Sequence, residues 1–190
     1  DVRVEGAHVD VDLVLTSGWC PFVASMSSAI PDALRSVAGV EPVDVEPYPA
    51  GLMLIGGDAM ATEPQPTDIV AWSCGTGATR EVSPSACPSS TPLRMLVTFP
   101  DCWDGEALTG IGDESPARYS DANGCPDDFP VPVPQLTIAI DYPPVDPEGL
   151  LLASGDIITG HADFWNVWNQ DKLEQEVALV VRKLQAFAQR

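Results

Sequence analysis

Short apolar segments separated by turn-forming residues recur along most of the chain, and they limit the fold to a mainly β architecture. Leu52–Ile55, Ile69–Trp72 and Leu93–Phe99 are short apolar runs bounded by Gly, Pro or Ser, which is the pattern of buried strands. Leu136 to Ile140 alternate with more polar neighbours, as in a half-buried strand. Many short strands with frequent turns predict one β-sandwich-like domain over residues 1–190.

The N-terminal segment and a later segment around Gly155-Asp156 carry further predictions of strands. Alternation over residues 2–15, broken near Gly6, predicts a strand or a strand pair. Leu150–Ser154 and Ile157–Thr159 flank Gly155-Asp156 and are expected to form a hairpin.

Two helices are expected beside the strands. In the N-terminal half, Pro31 suits a first helical position and Gly39 a helix end. The C-terminal helix begins after Asn169 or Asp171, either of which can cap it. Its apolar face should pack on the sheet; that face consists of Leu173, Val177, Val180, Val181, Leu184 and Phe187.

The charge excludes some classes of partner. The 28 acidic residues outnumber 9 basic ones, which gives a formal net charge of -19. Such a surface repels phosphate backbones and anionic lipid head groups, so we expect no nucleic acid partner. No apolar run is long enough for a transmembrane helix, so we expect no membrane insertion.

Five cysteines favour an oxidising compartment. No Cys-x-x-Cys pair is present, which disfavours a zinc knuckle or a thioredoxin-like motif. Short-range closure favours pairing Cys74 with Cys87 and Cys102 with Cys125, and leaves Cys20 over. We therefore expect a secreted protein whose signal peptide is already removed from this chain.

The segment Phe99–Gly105, Phe-Pro-Asp-Cys-Trp-Asp-Gly, carries the densest side-chain chemistry in the chain. Asp101 and Asp104 are a candidate catalytic carboxylate pair, as in glycosidases, and equally candidates for capping turns. Trp103 is a candidate ligand-binding residue. The acidic loop from residue 101 to 128 should hold little regular structure, and a calcium-stabilised structural domain is one hypothesis for it. Within it, Asp121–Gly124 lacks the later ligands of a calcium loop and is predicted to be a turn.

A second concentration of chemistry lies at Gly160–Trp168. His161 and Asp163 are two residues apart, so they would share a face on a strand or could hydrogen-bond in a turn. His161 is a candidate general acid or base with Asp163 as its orienting partner. Trp165 and Trp168, at the expected start of the helix, are candidates for stacking on a sugar and equally for sealing a core. No multi-histidine metal site is expected, because the chain has only His8 and His161.

The order of several motifs resembles a secreted family known only as a domain of unknown function, DUF1996. The resemblance covers residues 67–182, with 1–66 as a divergent N-terminal part, and the family-like part is taken to extend to residue 190. The matching motifs are Trp72-Ser-Cys74, Phe99-Pro-Asp-Cys-Trp-Asp-Gly105, Cys125-Pro126, Pro132-Val-Pro-Gln-Leu136, Ser154-Gly155, His161-Ala-Asp-Phe164 and Trp168. A fainter similarity covers Tyr48-Pro-Ala-Gly51 and Gly57-Asp58.

The resemblance implies polysaccharide surroundings, because such members are fungal and actinobacterial extracellular proteins, some fused to cellulose-binding or cell-wall-type modules. The chain departs from that pattern in its histidines. A family His-x-His-Asp-Phe-Phe-Gly stretch has His8-Val-Asp-Val-Asp12 as its nearest counterpart here. A family Asp-His-x-x-His is replaced by Asp113-Glu-Ser-Pro-Ala-Arg-Tyr119, so only His161 of that set is kept.

Three hypotheses about function follow. The first is a secreted binding or cell-envelope interaction protein associated with polysaccharide and lacking the full family histidine set. The second is a glycan-active enzyme, a hydrolase or lyase, that uses His161 with Asp163 and Asp104. The third is the calcium-stabilised domain; apart from calcium under this hypothesis, no cofactor is expected.

Overall fold

The computed structural model describes residues 2–5, 8–11, 45–76, 79–144 and 146–188, and that part of the chain is mainly β. Its strands are β1 (Val2–Glu5), β2 (His8–Val11), β3 (Met53–Gly57), β4 (Val70–Cys74), β5 (Leu93–Thr98), β6 (Cys102–Trp103), β7 (Ala117–Arg118), β8 (Val131–Pro132), β9 (Thr137–Tyr142) and β10 (His161–Trp165). The described helices are α1 (Gln170–Ala188) and two 3₁₀ helices, Gly112–Glu114 and Ile157–Thr159.

The described strands form four small antiparallel sheets. β1 pairs with β2, β3 with β10, β5 lies between β4 and β9, and β6 lies between β7 and β8. The pair β1–β2 confirms the strand pair predicted around Gly6. The stacked layers of a sandwich stay a prediction, and the helix predicted from Pro31 to Gly39 lies outside the described residues.

Two apolar clusters form the core, and strand β10 contacts both. One cluster is built on Tyr48, Leu52, Leu54 and Phe99, and the other consists of Val70, Trp72, Leu93, Met95 and Val97. Ala162 of β10 packs against both clusters. Phe164 of β10 also packs against the first cluster, and full burial of a large apolar side chain is worth roughly 1.5–3 kcal/mol, so these contacts anchor β10.

Helix α1 begins as the sequence predicts. The Asn169 side chain accepts a hydrogen bond from the Lys172 amide at 2.9 Å, which is an N-cap interaction. Leu173, in the first turn, packs against the cluster around Phe99. This contact joins the first turn of the helix to the core, and packing of the rest of the apolar face on the sheet stays a prediction.

Both favoured disulfides are present. Cys74 is bonded to Cys87 and Cys102 to Cys125, across 13 and 23 residues. In the chain-entropy account, cross-links of this length stabilise a fold by about 3 kcal/mol each.

The acidic loop holds little regular structure, as predicted: two two-residue strands, β6 and β7, and one 3₁₀ turn. Two local predictions are wrong. Ile157–Thr159 is a 3₁₀ helix capped by the Asp156 carboxylate rather than the second strand of a hairpin. Trp165 ends a strand and does not begin the helix, which starts at Gln170.

Candidate functional site

Strand β10 presents the three candidate residues His161, Asp163 and Trp165 on one side. They alternate with Ala162 and Phe164, which pack against the core. Because successive side chains of a strand point to opposite faces, the three candidates share the face turned away from the core. Asp163 is exposed, and Trp165 is 59% exposed despite its size.

The neighbouring strand β3 completes this surface. In the register of the pair, Met53 lies opposite Trp165 and Ile55 opposite Asp163. Met53 is 45% exposed, whereas Leu54 and Gly56, which alternate with Met53 and Ile55, are buried. We call the surface made by His161, Asp163, Trp165, Met53 and Ile55 the β10 face. It combines an apolar, aromatic end with a carboxylate and an imidazole.

Local structure before β10 fixes the ring of His161. Its Nδ1 lies 2.9 Å from the carbonyl oxygen of Thr159. Since a carbonyl oxygen can only accept, Nδ1 is assigned as the protonated nitrogen, and in neutral imidazole Nε2 is then the basic one. Gln65 steadies the same turn by donating to the carbonyls of Ile158 and Gly160, both at 2.8 Å.

Asp163 does not orient His161 through a direct contact. Among the described hydrogen bonds none joins the two side chains, and two residues along a strand span roughly 6–7 Å. The Thr159 carbonyl performs the orienting role that the sequence assigned to Asp163.

Asp101 and Asp104 bond within their own corner of the chain. Asp101 accepts hydrogen bonds from the amide and the hydroxyl of Ser120, each at 2.8 Å. Asp104 accepts from the amides of Glu106 and Ala107 at 2.8 and 2.9 Å, so it caps a turn. No hydrogen bond or ion pair described for either carboxylate reaches His161.

The three candidate tryptophans differ in how much of the ring is open. Trp103 is partly buried, and its indole N–H donates to the Ala107 carbonyl at 2.7 Å. Trp168 packs edge-on against Phe164, with ring centroids 5.4 Å apart, and keeps 39% exposure. Trp165 therefore offers the most open ring of the three.

Sequence reasoning missed the residues that β3 contributes to this surface. Met53 and Ile55 join the β10 face only because distant segments pair. It also missed Tyr119, whose hydroxyl donates to the Thr98 carbonyl at 2.9 Å and accepts from the Gly57 amide at 3.3 Å. Burial raises the pKa of the Tyr119 phenol, and the charges of Asp101 and Asp68 act in the same direction. The signal in the sequence that could have pointed to the β3 residues was the short apolar strand pattern that ends at Gly56-Gly57.

The described acidic residues do not gather into a metal centre. Within the described ranges there is no group of three or more His, Cys, Asp or Glu side chains placed to hold an ion. The Asp121 carboxylate accepts from the Asn123 amide at 2.7 Å, and paired backbone bonds join Asp121 to Gly124. This geometry confirms the predicted turn.

These features define a mainly β, disulfide-bonded protein with an aromatic and carboxylate surface on one strand pair. The family described as Domain of unknown function (DUF1996) matches residues 32–168, and the chain belongs to that family. The match includes the fainter stretch from Tyr48 to Asp58 and ends before α1. No curated protein and no solved structure matches the chain. In the part of the chain that is described, no helix has the length and apolar character to cross a bilayer.

Proposed function

We propose that this chain is a secreted binding protein that holds a neutral polysaccharide against the β10 face. One observation carries the proposal: Trp165 is largely exposed, and its neighbours on the same face are also exposed. These neighbours are Asp163 on β10 and Met53, which lies opposite Trp165 on β3. Exposing a large aromatic ring costs the burial energy that it would otherwise contribute, so a site of this kind gains most by covering the ring with a ligand.

Sugar rings suit this surface chemically. A pyranose has an apolar face that can stack on an indole, and hydroxyl groups at its rim that can donate to a carboxylate. Asp163 lies next to Trp165 on the same face, where it can accept such a hydroxyl. His161 lies one step further and can offer Nε2.

The charge narrows the ligand class. A net charge of -19 repels anionic polymers at long range, so a neutral chain is the better fit. The two disulfides and the family resemblance to extracellular, polysaccharide-associated proteins support an oxidising, extracellular setting.

Sedimentation with insoluble cellulose, chitin and β-glucan tests the proposal. Trp165→Ala should weaken binding to the preferred polymer by about tenfold or more, which is about 1.4 kcal/mol. Leu151→Ala is the matched control, because it truncates an exposed apolar residue outside β3 and β10. Equal binding of both variants and the parent chain, or no binding to any of the three polymers, would contradict the proposal.

A second candidate, a glycan-active enzyme, is favoured by the fixed ring of His161. Its protonated Nδ1 is held by a backbone carbonyl, which leaves Nε2 available as a base. Soluble sugar released in the same incubations would support this candidate if His161→Ala abolished the release and left the melting temperature unchanged. Binding without release would leave the binding protein as the function.

A further inference from the structure

The edge of β10 that points away from β3 has backbone hydrogen-bonding groups without a partner among the described residues. In an antiparallel strand the N–H and C=O of one residue point to the same side, and the side alternates along the chain. The backbone amide of Met53 donates to the Leu108 carbonyl, and that of Gly57 donates to the Tyr119 hydroxyl. The backbone N–H and C=O of these two β3 residues therefore point away from β10. The backbone groups of their cross-strand partners, Trp165 and His161, therefore point away from β3.

The alternate residues, Ala162, Phe164 and Asn166, confirm this assignment. The Asn166 amide donates to the Leu52 carbonyl at 2.8 Å, and the Gly51 amide donates to the Asn166 carbonyl at 2.9 Å. The backbone groups of Asn166 thus face the β3 side, and by alternation so do those of Phe164 and Ala162. The outer edge of β10 is formed by the backbone groups of His161, Asp163 and Trp165.

These outward groups have no partner within the described part of the chain. β10 pairs with β3 alone among the described strands. No backbone or side-chain hydrogen bond is described for the amide or carbonyl of His161, Asp163 or Trp165. A strand edge of this kind is a template for another strand.

We propose that the outer edge of β10 binds an extended, basic peptide segment of another protein as an added strand. Backbone hydrogen bonds to the three outward residues supply the affinity, as in other cases of strand addition. Asp163, at the centre of the edge, selects a lysine or arginine at the position that faces it. Trp165 can also accept a cation over its ring.

A second copy of this chain is a poor occupant of the same edge. Antiparallel pairing of two β10 strands about a twofold axis through Asp163 places the two carboxylates directly opposite each other. Like charges in that position destabilise a strand pair. Two chains of net charge -19 also repel each other at long range, whereas a basic segment is attracted.

The strand is held in place before any partner arrives. Ala162 packs between the two core clusters, and Phe164 contacts Tyr48 and Phe99, with ring centroids 5.2 and 6.0 Å apart. Asn166, just beyond the strand, donates from its side chain to the carbonyls of Tyr48 and Pro49 at 2.9 Å. A preorganised edge spares the partner the cost of ordering it.

The probe is a fluorescent peptide of about seven residues that alternates valine and threonine around a central lysine, a length typical of one strand. A second peptide with a central glutamate is its matched control. Fluorescence anisotropy with the full chain should give an affinity for the lysine peptide at least about tenfold above that for the glutamate peptide.

Two variants separate the backbone contribution from the charge. Asp163→Pro removes the outward N–H together with the carboxylate and leaves the bonds to β3, so it should bind the lysine peptide about tenfold or more weakly than Asp163→Asn does, while the chain stays folded. Asp163→Asn keeps the N–H, so it should still bind but should no longer distinguish the two peptides.

Each contrary result overturns a defined part of the proposal. Equal binding of the lysine peptide by Asp163→Pro and Asp163→Asn would exclude strand addition, and equal affinity of the parent chain for both peptides would exclude a basic partner. Failure of the lysine peptide to bind at millimolar concentration would exclude both. Concentration-dependent dimerisation in sedimentation, lost in Asp163→Pro, would make a second copy the occupant.

Discussion

The corner segment Phe99–Gly105 and strand β10 carry similar residue types and use them in opposite ways. Each has at least one aspartate and a tryptophan close to a phenylalanine that packs in the core cluster. In the corner, Asp101 and Asp104 each accept two hydrogen bonds from nearby protein groups. In β10, no hydrogen bond or ion pair is described for Asp163, and Trp165 is largely exposed.

This difference shows that chemical density along the sequence does not locate a binding surface. A corner that must turn between a core strand and a disulfide needs side chains to satisfy its backbone amides, because buried or crowded polar groups cost free energy when unpaired. Those side chains are then committed to the fold. In a regular strand, the backbone hydrogen bonds on the paired side are made by the neighbouring strand. The outward side chains are therefore not needed for the fold and are available for a ligand.

The largest contrast is expected between the two aromatic residues. Phe99→Ala should lower the free energy of unfolding by about 3–5 kcal/mol, because Phe99 is 0% exposed and lies against Phe164 in the core. Trp165→Ala should lower it by about 0.5 kcal/mol or less. Urea denaturation of both variants measures the difference.

If Phe99→Ala does not fold, Phe99→Leu provides the same comparison with a smaller loss, about 1–1.5 kcal/mol. Similar losses for Trp165→Ala and the Phe99 variants would mean that Trp165 contributes to the core after all. The β10 face would then have no exposed aromatic residue to offer.

Sequence reasoning succeeded where the pattern is local. Alternation or apolar runs gave β3, β4, β5 and β9 to within a few residues, because side-chain period and turn residues act over short distances. The turn at Asp121, and Asn169 as one of two candidate N-caps, followed from side-chain hydrogen bonds to nearby amides. Both disulfides followed from the preference for closing short loops.

It failed where tertiary contacts decide. The pairing of β3 with β10 joins segments from distant parts of the chain, and nothing local in Met53 or Ile55 marks them as neighbours of Trp165 and Asp163. The short strand Cys102–Trp103 exists because partners lie on both sides of it. At Ile157–Thr159, branched residues suggested a strand, but the Asp156 cap favours a helical turn.

A smaller contrast is expected between two carboxylates. Asp101→Asn should cost about 1–3 kcal/mol, because an amide cannot replace both acceptor oxygens that serve the Ser120 amide and hydroxyl. Asp163→Asn should change the free energy of unfolding by no more than about 0.5 kcal/mol. Thermal unfolding of the two variants in one buffer measures both values, and a costly Asp163→Asn would show that this residue is structural.

The smallest effect concerns an exposed carboxylate that does have a partner, Asp141 on β9. Arg94 donates from Nε and Nη2 to its two oxygens at 2.6 and 2.7 Å, and this hydrogen bonding lowers the pKa of Asp141 below its ordinary 3.8. Because the unfolded chain then binds the proton more tightly, the pair stabilises the fold above about pH 4, and the contribution is lost as the pH falls through the lower folded value.

Solvent screening limits this contribution, since the Asp141 side chain is 45% exposed. Asp141→Asn should therefore lower stability by less than about 1 kcal/mol near neutral pH and by almost nothing near pH 2. Arg94→Gln should show the same pH dependence, because it removes the other half of the pair. A loss of equal size at both pH values would instead assign the loss to packing between β5 and β9. Charge pairing would then not distinguish Asp141 from Asp163, for which the described residues supply no partner.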